Sequence, residues 1–389
     1  MTAAGLSILN IGLDRDLLAS DRRTEAQDRQ LIYANGLPAH LVHLVKAPAD
    51  APCAPISVDR GVHVIPCPVS HWAQFPISAV RAGARELRRR RFDLLQVQEP
   101  YLSGLAGAML ARRFGLPLVV GVYSDEVDNP VWLAERRLNR WVNGLAKWVL
   151  RQASAVRVDS RAVLERLAGQ GYRNLAYVPF LITNADRLLA PSEQAPAVRA
   201  QLLGSRAGPL LLAVSRLEPE KNIPLMLQAV GEAVKVHPGL VLAVAGDGRL
   251  AASLASEAEQ LAPGAVRWLG RIENADMPLH YQAADLTMLS SNRESAARVL
   301  SESLLTGTPV LTTDTAGARE VIEDGVSGRI VPIGDVRGFA DALIDICRDP
   351  NRLARMGREG RERMTDSVTT DTVLRELCGL YAKALGRAG

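Results

Sequence analysis

Cysteine is scarce in this 389-residue chain: Cys53, Cys67, Cys347 and Cys378 stand far apart, with no CxxC pair and no metal-ligand spacing. That scarcity excludes a zinc ribbon and a disulfide scaffold and favours a reducing compartment. Long apolar runs are missing as well. The best are short, near Leu116–Val122 and Leu210–Val214, far below the roughly 18 residues that span a bilayer. The opening stretch meets Asp14 and Asp16 too soon for a secretory signal. No segment is low in complexity, and no repeat with a period of roughly 20–50 residues is present. There is no stacking platform or reader motif for nucleic acid, so no nucleic-acid partner is expected. What remains, 48% hydrophobic and 23% charged residues, describes a packed globular chain long enough for two ordinary domains.

The net charge of +4 hides an asymmetry. Through residue 190, Lys and Arg exceed Asp and Glu by seven, and beyond it they fall short by three. A basic first half and a faintly acidic second half point to two domains facing different partners. Short apolar runs alternate with helical patterns throughout. Strands are expected near Leu6–Ile11, Ala39–Val45, Leu94–Val97, Leu118–Val122, Ala155–Val158 and Ala176–Val178. They recur near Leu210–Val214, Val241–Ala245, Val266–Leu269, Leu286–Leu289, Val310–Thr312 and Arg329–Val331. This is the pattern of doubly wound parallel sheets. Ala190–Gly208, with Pro, Ser and Gly around a short polar helix, reads as the linker. The reading is therefore two Rossmann-like α/β domains with a cleft between the carboxyl ends of their strands.

The segment ADLTMLSSNRESAARVLSESLLTGTPVLTT, Ala284–Thr313, carries the most chemistry. A strand leads through the polar loop Ser290–Arg293 into a helical pattern from about Ala296, with Ser295 at the N-cap and Gly307 and Pro309 closing it. The start of such a helix offers free N–H groups and a positive dipole end to an anion. Glu294 lies at its mouth. Glu302 lies seven residues past Ser295, about 10 Å along at 1.5 Å per residue. Two carboxylates so placed can hold hydroxyls of one ligand while the helix end holds its phosphates; the plain alternative is two surface glutamates. SRLEPEKN sets Arg216 and Lys221 in the loop after Leu210–Val214, where a planar fork and a point charge can grip a diphosphate. Its plain alternative is Arg216 paired with Glu218 or Glu220. Gly246-Asp247-Gly248, by itself, marks a tight turn.

In their order and spacing, SRLEPEKN, AGDGRL, VRWLGR, ADLTMLSSNRESAARVLSE, TPVLTTDTAGARE and GRIVPIGD resemble the donor domain of retaining glycosyltransferases of family 4. The match spans roughly Leu210–Pro350, and the Glu-x7-Glu motif from Glu294 to Glu302 is its most specific part. The resemblance implies the GT-B fold, two Rossmann-like domains facing each other across a cleft. Residues 1–190 would form the acceptor-side domain and residues 209–366 the donor-binding domain, with a C-terminal helix over about 367–389 packing back on the first. It further implies that Arg216 and Lys221 bind the donor diphosphate, that Glu302 holds the nucleotide ribose, and that Glu294 lies by the donor sugar. Backbone amides of Ser295, Ala296, Ala297, Arg298 and Val299 would reach sugar hydroxyls and phosphate, and Arg271 and Ile272 would lie near the base. Members usually carry Gly-Phe-Gly after the first Glu. Here Ser295-Ala296-Ala297 stands instead, so sugar preference does not carry over.

The resemblance is weaker before Leu210. LLQVQEPYLSGLAGAMLARRFGLPLVVGVYSDEVDNPVW keeps the family's strand, Glu-Pro, helix, strand, loop order, with Glu99-Pro100 matching, and the resemblance makes Glu99 an acceptor-side candidate beside Tyr123 and Asp125. Many members carry a His bordering the sugar where Tyr123 stands here, followed by Ser124 and Asp125. Asp125 is the nearest substitute for a substrate contact, with a loop-capping role as its alternative. The first loop, Gly12-Leu13-Asp14-Arg15, lacks the family's paired glycines, and Asp14-Arg15-Asp16 is not read as a metal site. Two basic segments account for the charge of this half. One carries Arg81, Arg85 and Arg88–Arg91; the other sets Leu138, Trp141, Leu145, Trp148 and Val149 at helical spacing beside Arg136, Arg137, Arg140, Lys147 and Arg151. Such helices can lie on an anionic membrane surface; the alternative turns Trp inward and Arg outward.

The expectation is thus a retaining hexosyltransferase that forms an α-linkage. It would draw on a UDP- or GDP-linked sugar and a saccharide or lipid-linked acceptor, in bacterial surface polysaccharide or glycoconjugate synthesis. No cofactor and no metal are expected. By resemblance the path is front-face displacement with no protein base, and the location is the cytoplasm or the inner face of the cell membrane. A nucleotide-sugar epimerase of the same fold, or a non-catalytic nucleotide-sugar-binding protein, is the alternative.

Overall fold

The computed structural model describes residues 5–386 apart from 53, 60, 297 and 368. The chain forms two compact units, Met1–Thr183 with Thr370–Gly389, and Asn184–Thr369. The first opens with β1 (Leu6–Gly12), α1 (Glu25–Gly36), β2 (Ala39–Ala47), β3 (Ile56–Asp59), β4 (Val62–Pro68) and α2 (Phe75–Arg89). It continues through β5 (Leu94–Val97), α3 (Leu102–Phe114), β6 (Leu118–Val122), α4 (Pro130–Glu135), α5 (Arg137–Gln152), β7 (Ala155–Val158), α6 (Arg161–Gly169) and β8 (Leu175–Tyr177). The second unit holds α7 (Ala185–Leu189), α8 (Ala195–Leu203), β9 (Leu210–Val214), α9 (Ile223–Val236), β10 (Val241–Ala245), α10 (Ala251–Leu261), β11 (Val266–Gly270) and α11 (Met277–Ala283). After these come β12 (Leu286–Leu289), α12 (Arg298–Leu305), β13 (Val310–Thr313), α13 (Ala316–Val321), β14 (Gly328–Val331), α14 (Val336–Cys347) and α15 (Pro350–Ser367). The last helix, α16 (Thr370–Ala384), belongs to the first unit.

The first sheet runs β3-β4-β2-β1-β5-β6-β7-β8 and is parallel except for the β3–β4 pair. Its strands are apolar on both faces because helices cover both. Leu9, Ile11, Val42 and Leu44 pack with Phe75 of α2, Leu110 of α3 and Val149 of α5. Ile8, Leu41 and Leu94 pack on the other side with Leu31 of α1 and Val373 and Leu377 of α16. The twelve expected strands are all present, and two more, β3 and β4, escaped the reading. Pro66 and Pro68 argue against a strand at VHVIPCP. The short β3 reaches only Val62–Val64, however, so both prolines lie past its pairing.

The second sheet runs β11-β10-β9-β12-β13-β14, every pair parallel. Ala190–Gly208 is not the linker: the boundary falls after Thr183, and these residues belong to the second unit. There α8 packs on α11, and Arg199 donates to Asp285 at 2.8 Å and to the Ala283 carbonyl at 2.9 Å. Its composition is polar like a linker's, yet buried Ala195 and Leu202 and the Arg199 anchor tie it to the second unit.

Candidate functional site

From β9 the second chain half moves outward through β10 to β11, then returns to the opposite side of β9 as β12. The order reverses there, and the loops after β9 and β12 open a crevice at the carboxyl end of the sheet. These are the two loops that carry Arg216–Lys221 and Ser290–Glu294. They are stitched together: Asn292 N–H donates to the Glu220 carbonyl at 2.8 Å, and Ser290 Oγ donates to the Lys221 and Asn222 carbonyls at 3.0 and 2.9 Å. Thr313 Oγ1, at the end of β13, donates to the Ser291 carbonyl at 2.6 Å. Asn222 takes a left-handed φ of 46° to turn this loop into α9. A third loop closes on them. Gly246 has φ 143°, and a Cβ there would overlap the Ser215 carbonyl oxygen, so only glycine lets Gly246-Asp247-Gly248 pack so closely.

The crevice brings Lys221 and Glu294 together as an ion pair, with Ser291 Oγ donating to the same Glu294 oxygen at 2.7 Å. Both side chains are mostly covered, 16% and 17% exposed. Arg216 is 71% exposed and pairs with Glu220 at 2.8 Å, the plain alternative read from sequence. The described part of α12 starts at Arg298, later than the expected start near Ala296; Glu294 and Ser295 precede it in non-helical backbone. Ala297 lies outside the described residues. Ser295 is buried, and Ala296, Arg298 and Val299 are half-buried. Arg271 is exposed and Ile272 half-buried in the loop after β11.

Glu302 is not a surface glutamate. It is 4% exposed on α12, accepts from Tyr281 Oη at 2.9 Å and pairs with Arg298 Nε at 2.6 Å. Arg298 also reaches Asn274 Oδ1 at 3.5 Å. Burial, and then the Glu302 carboxylate, push the Tyr281 hydroxyl far above its ordinary range, so it stays a proton donor. Sequence reading missed Tyr281, whose role depends on α11 lying against α12.

In the first unit the order reverses between β1 and β5. Leu13 N–H donates to Gln98 Oε1 at 2.9 Å, fixing the first loop against the loop after β5. Asp14 pairs with Arg29 at 3.3 Å. Glu99 serves the start of α3, its carboxylate accepting from Tyr101 N–H at 2.6 Å and Ser103 N–H at 2.5 Å. Burial raises its pKa against the lowering effect of those bonds. Asp125 pairs with Arg166 and accepts from Asn129 Nδ2 at 3.2 Å, holding the loop before α4. Tyr123 is half-buried and folds back over Gly121, where a Cβ would overlap its ring. No group of three His, Cys, Asp or Glu side chains is placed to hold a metal ion among the described residues.

Residues 29–180 match the family described as Glycosyl transferase 4-like domain, and residues 196–363 match Glycosyl transferases group 1. A glycogen synthase of Mycobacterium tuberculosis is 26% identical over 312 residues, 78% of this chain and 73% of that protein. A GDP-mannose-dependent alpha-mannosyltransferase of the same species is 28% identical over 314 residues, 78% and 76% of the two chains. Among solved structures, sucrose-phosphate synthase from Thermosynechococcus elongatus superposes with TM-score 0.84 at 21% identity, covering 98% of this chain and 100% of that one. Anabaena HepE in complex with UDP-glucose gives 0.75 at 19% identity, covering 97% and 99%. With both halves matched, the chain belongs to the family 4-like glycosyltransferases and has their GT-B fold of two Rossmann-like α/β domains.

Proposed function

We propose that this glycosyltransferase moves a hexose-type sugar from a nucleoside-diphosphate sugar to a saccharide or lipid-linked acceptor. The anomeric configuration is retained, the product is an α-glycoside, and no bound metal takes part. The observation that carries this reading is the meeting of Lys221 and Glu294 at the reversal point of the second sheet. HepE has been crystallised with UDP-glucose, and a relative uses GDP-mannose, which supports a UDP- or GDP-linked donor. The donor's bond from C1 to the diphosphate oxygen breaks as the acceptor hydroxyl bonds to C1 from the same face. The departing phosphate takes the hydroxyl proton. Lys221 and Arg216 offset the charge growing on that phosphate, the largest contribution expected in such chemistry. Glu302 receives the ribose hydroxyls, and Glu294 orients the donor sugar beside Lys221.

Incubation with UDP- and GDP-sugars tests the proposal. Transfer needs an acceptor; turnover of donor sugar into its epimer without one would indicate an epimerase, and binding without turnover a sugar-nucleotide-binding protein.

The acceptor's lipid link, and a place on the inner face of the cell membrane for bacterial surface glycoconjugate synthesis, draw support from one face of the first unit. Trp141 is 81% exposed, Leu138 61% and Trp148 40%. Trp72, Ile77, Met109 and Val131 are exposed on the elements of the same half. Arg81, Arg85, Arg112, Arg113, Arg137 and Arg140 are exposed on α2, α3 and α5. Exposed aromatic side chains and arginines on packed neighbouring helices suit an anionic lipid surface. No helix among the described residues is long and apolar enough to cross a membrane.

A further inference from the structure

The first unit buries a cation that makes no ion pair among the described residues. Arg157, on β7, is 4% exposed. Its Nη2 donates two long hydrogen bonds, 3.4 Å to Tyr33 Oη and 3.4 Å to the Pro179 carbonyl. The guanidinium lies 5.4 Å from the Tyr123 ring centre and 5.7 Å from that of Tyr33. Its Nε is buried with no hydrogen-bond partner, and no carboxylate pairs with it among the described residues. Buried charges are ordinarily paired, and stacking on two rings offsets only part of the cost of desolvation.

Gly121 is the register partner of Arg157, and its missing side chain makes room for the Tyr123 ring. Tyr123 follows β6 and Pro179 follows β8, so the head lies at the carboxyl edge of the sheet, where α/β sheets take ligands. The same sheet face carries further polar side chains. Asn10 is in register with His43 and with Gln96, and Gln96 accepts from Tyr381 Oη at 2.6 Å. His43 Nε2 is likewise buried without a hydrogen-bond partner. Asp159 is buried nearby and acts on Tyr123 electrostatically. A purely structural belt of this kind would be expected to satisfy its members.

We propose that Arg157 binds an oxyanion carried by the acceptor, a phosphate or a carboxylate, with the Tyr33 and Tyr123 rings as its walls. The anion site stands on its own geometry; only naming the acceptor as its carrier rests on the transferase reading.

Thermal melting of the full chain tests it, with inorganic phosphate and glucuronate as probes. Wild type, Arg157→Met and Lys221→Ala are compared, the last removing the donor-side cation. A buried charge kept for a ligand makes the empty protein less stable than it could be. Arg157→Met should therefore melt at or above the wild-type temperature while losing the anion-induced shift. Lys221→Ala should keep that shift. A response to phosphate alone assigns a phosphorylated acceptor, and to glucuronate alone an acidic sugar. An Arg157→Met chain that melts lower or does not fold makes the arginine structural and overturns the proposal. So does a shift that survives Arg157→Met, vanishes in Lys221→Ala, or is absent from the wild type. The UDP- and GDP-induced shifts should be unchanged in Arg157→Met. Their absence from the wild type would count against the donor reading and leave the anion arm intact.

Discussion

Replacing Arg81, Arg85 and Arg88 by glutamine should release the protein from anionic vesicles while leaving its fold intact. All three are exposed on α2, and none takes part in an ion pair among the described residues. Glutamine keeps helix propensity, so stability should move by no more than about 0.5 kcal/mol. Near an anionic surface each basic side chain contributes about 1 kcal/mol, so three contribute about 3 kcal/mol. At about 1.4 kcal/mol per decade, binding should weaken by about a hundredfold. Arg90, in the same run, behaves differently. It bonds Glu86 at 2.8 and 3.1 Å and His40 at 2.9 Å. Arg90→Gln would deprive buried Glu86 of its main partner and should cost about 1–3 kcal/mol of stability. The measurement is co-sedimentation with vesicles of anionic and of neutral lipid, at low and high salt, beside turnover of a soluble acceptor analogue. Equal binding to neutral lipid, insensitivity to salt, or unchanged binding by the triple variant would refute the docking argument. A Trp141→Ala variant reports on the apolar part of the same contact and should also bind more weakly.

Lys221→Ala and Arg216→Ala should each lower turnover by roughly a hundredfold or more with folding retained, the scale of losing one oriented charge partner; near-wild-type rates in both would mean that the diphosphate sits elsewhere. Glu302→Gln should raise the donor KM before it lowers kcat, since a ribose contact is made in ground and transition states alike. Glu302→Ala should in addition lose about 1–3 kcal/mol of stability by stranding the buried Tyr281 hydroxyl, and a urea melt equal to that of wild type would contradict this. Activity should persist in excess EDTA, and loss restored by magnesium or manganese would overturn metal independence. Burial, and then Arg29, push the pKa of His43 down to about 3. Its unfolded form takes up a proton below about pH 6.5 that the folded form refuses, so acidification to pH 5 should remove about 2 kcal/mol from this residue. Urea melts of wild type and His43→Leu at pH 7 and 5 check it: the variant should lose less stability on acidification, and identical losses would refute the assignment.

Much of this protein was written locally. A strand buried on both faces must be apolar throughout, so Leu210–Val214 or Leu118–Val122 announces itself without knowledge of its neighbours. The loops at strand ends carry Arg216, Lys221 and Glu294 at fixed offsets, and their chemistry is legible from residue type. What faced what was not. Helix α5 has tryptophans and arginines at spacings that permit either face inward. Tertiary structure decided it by seating Asn139 on the Trp132 carbonyl at 2.7 Å and Asn143 on Asp128 at 2.7 Å, which turned Trp141 and Trp148 outward. That Glu302 is buried, not a surface glutamate, shows only when α11 brings Tyr281 to it, and only the fold shows Glu99 accepting from two amides at the start of α3. Nothing in the sequence singles out Arg157 within the strand Ala155–Val158. Only the folding of Tyr123 over Gly121, and the approach of Tyr33 on α1, wall in its guanidinium between two rings. Backbone periodicity and residue chemistry act within a few positions along the chain. Burial and pairing depend on which groups meet once the helices pack on the sheet.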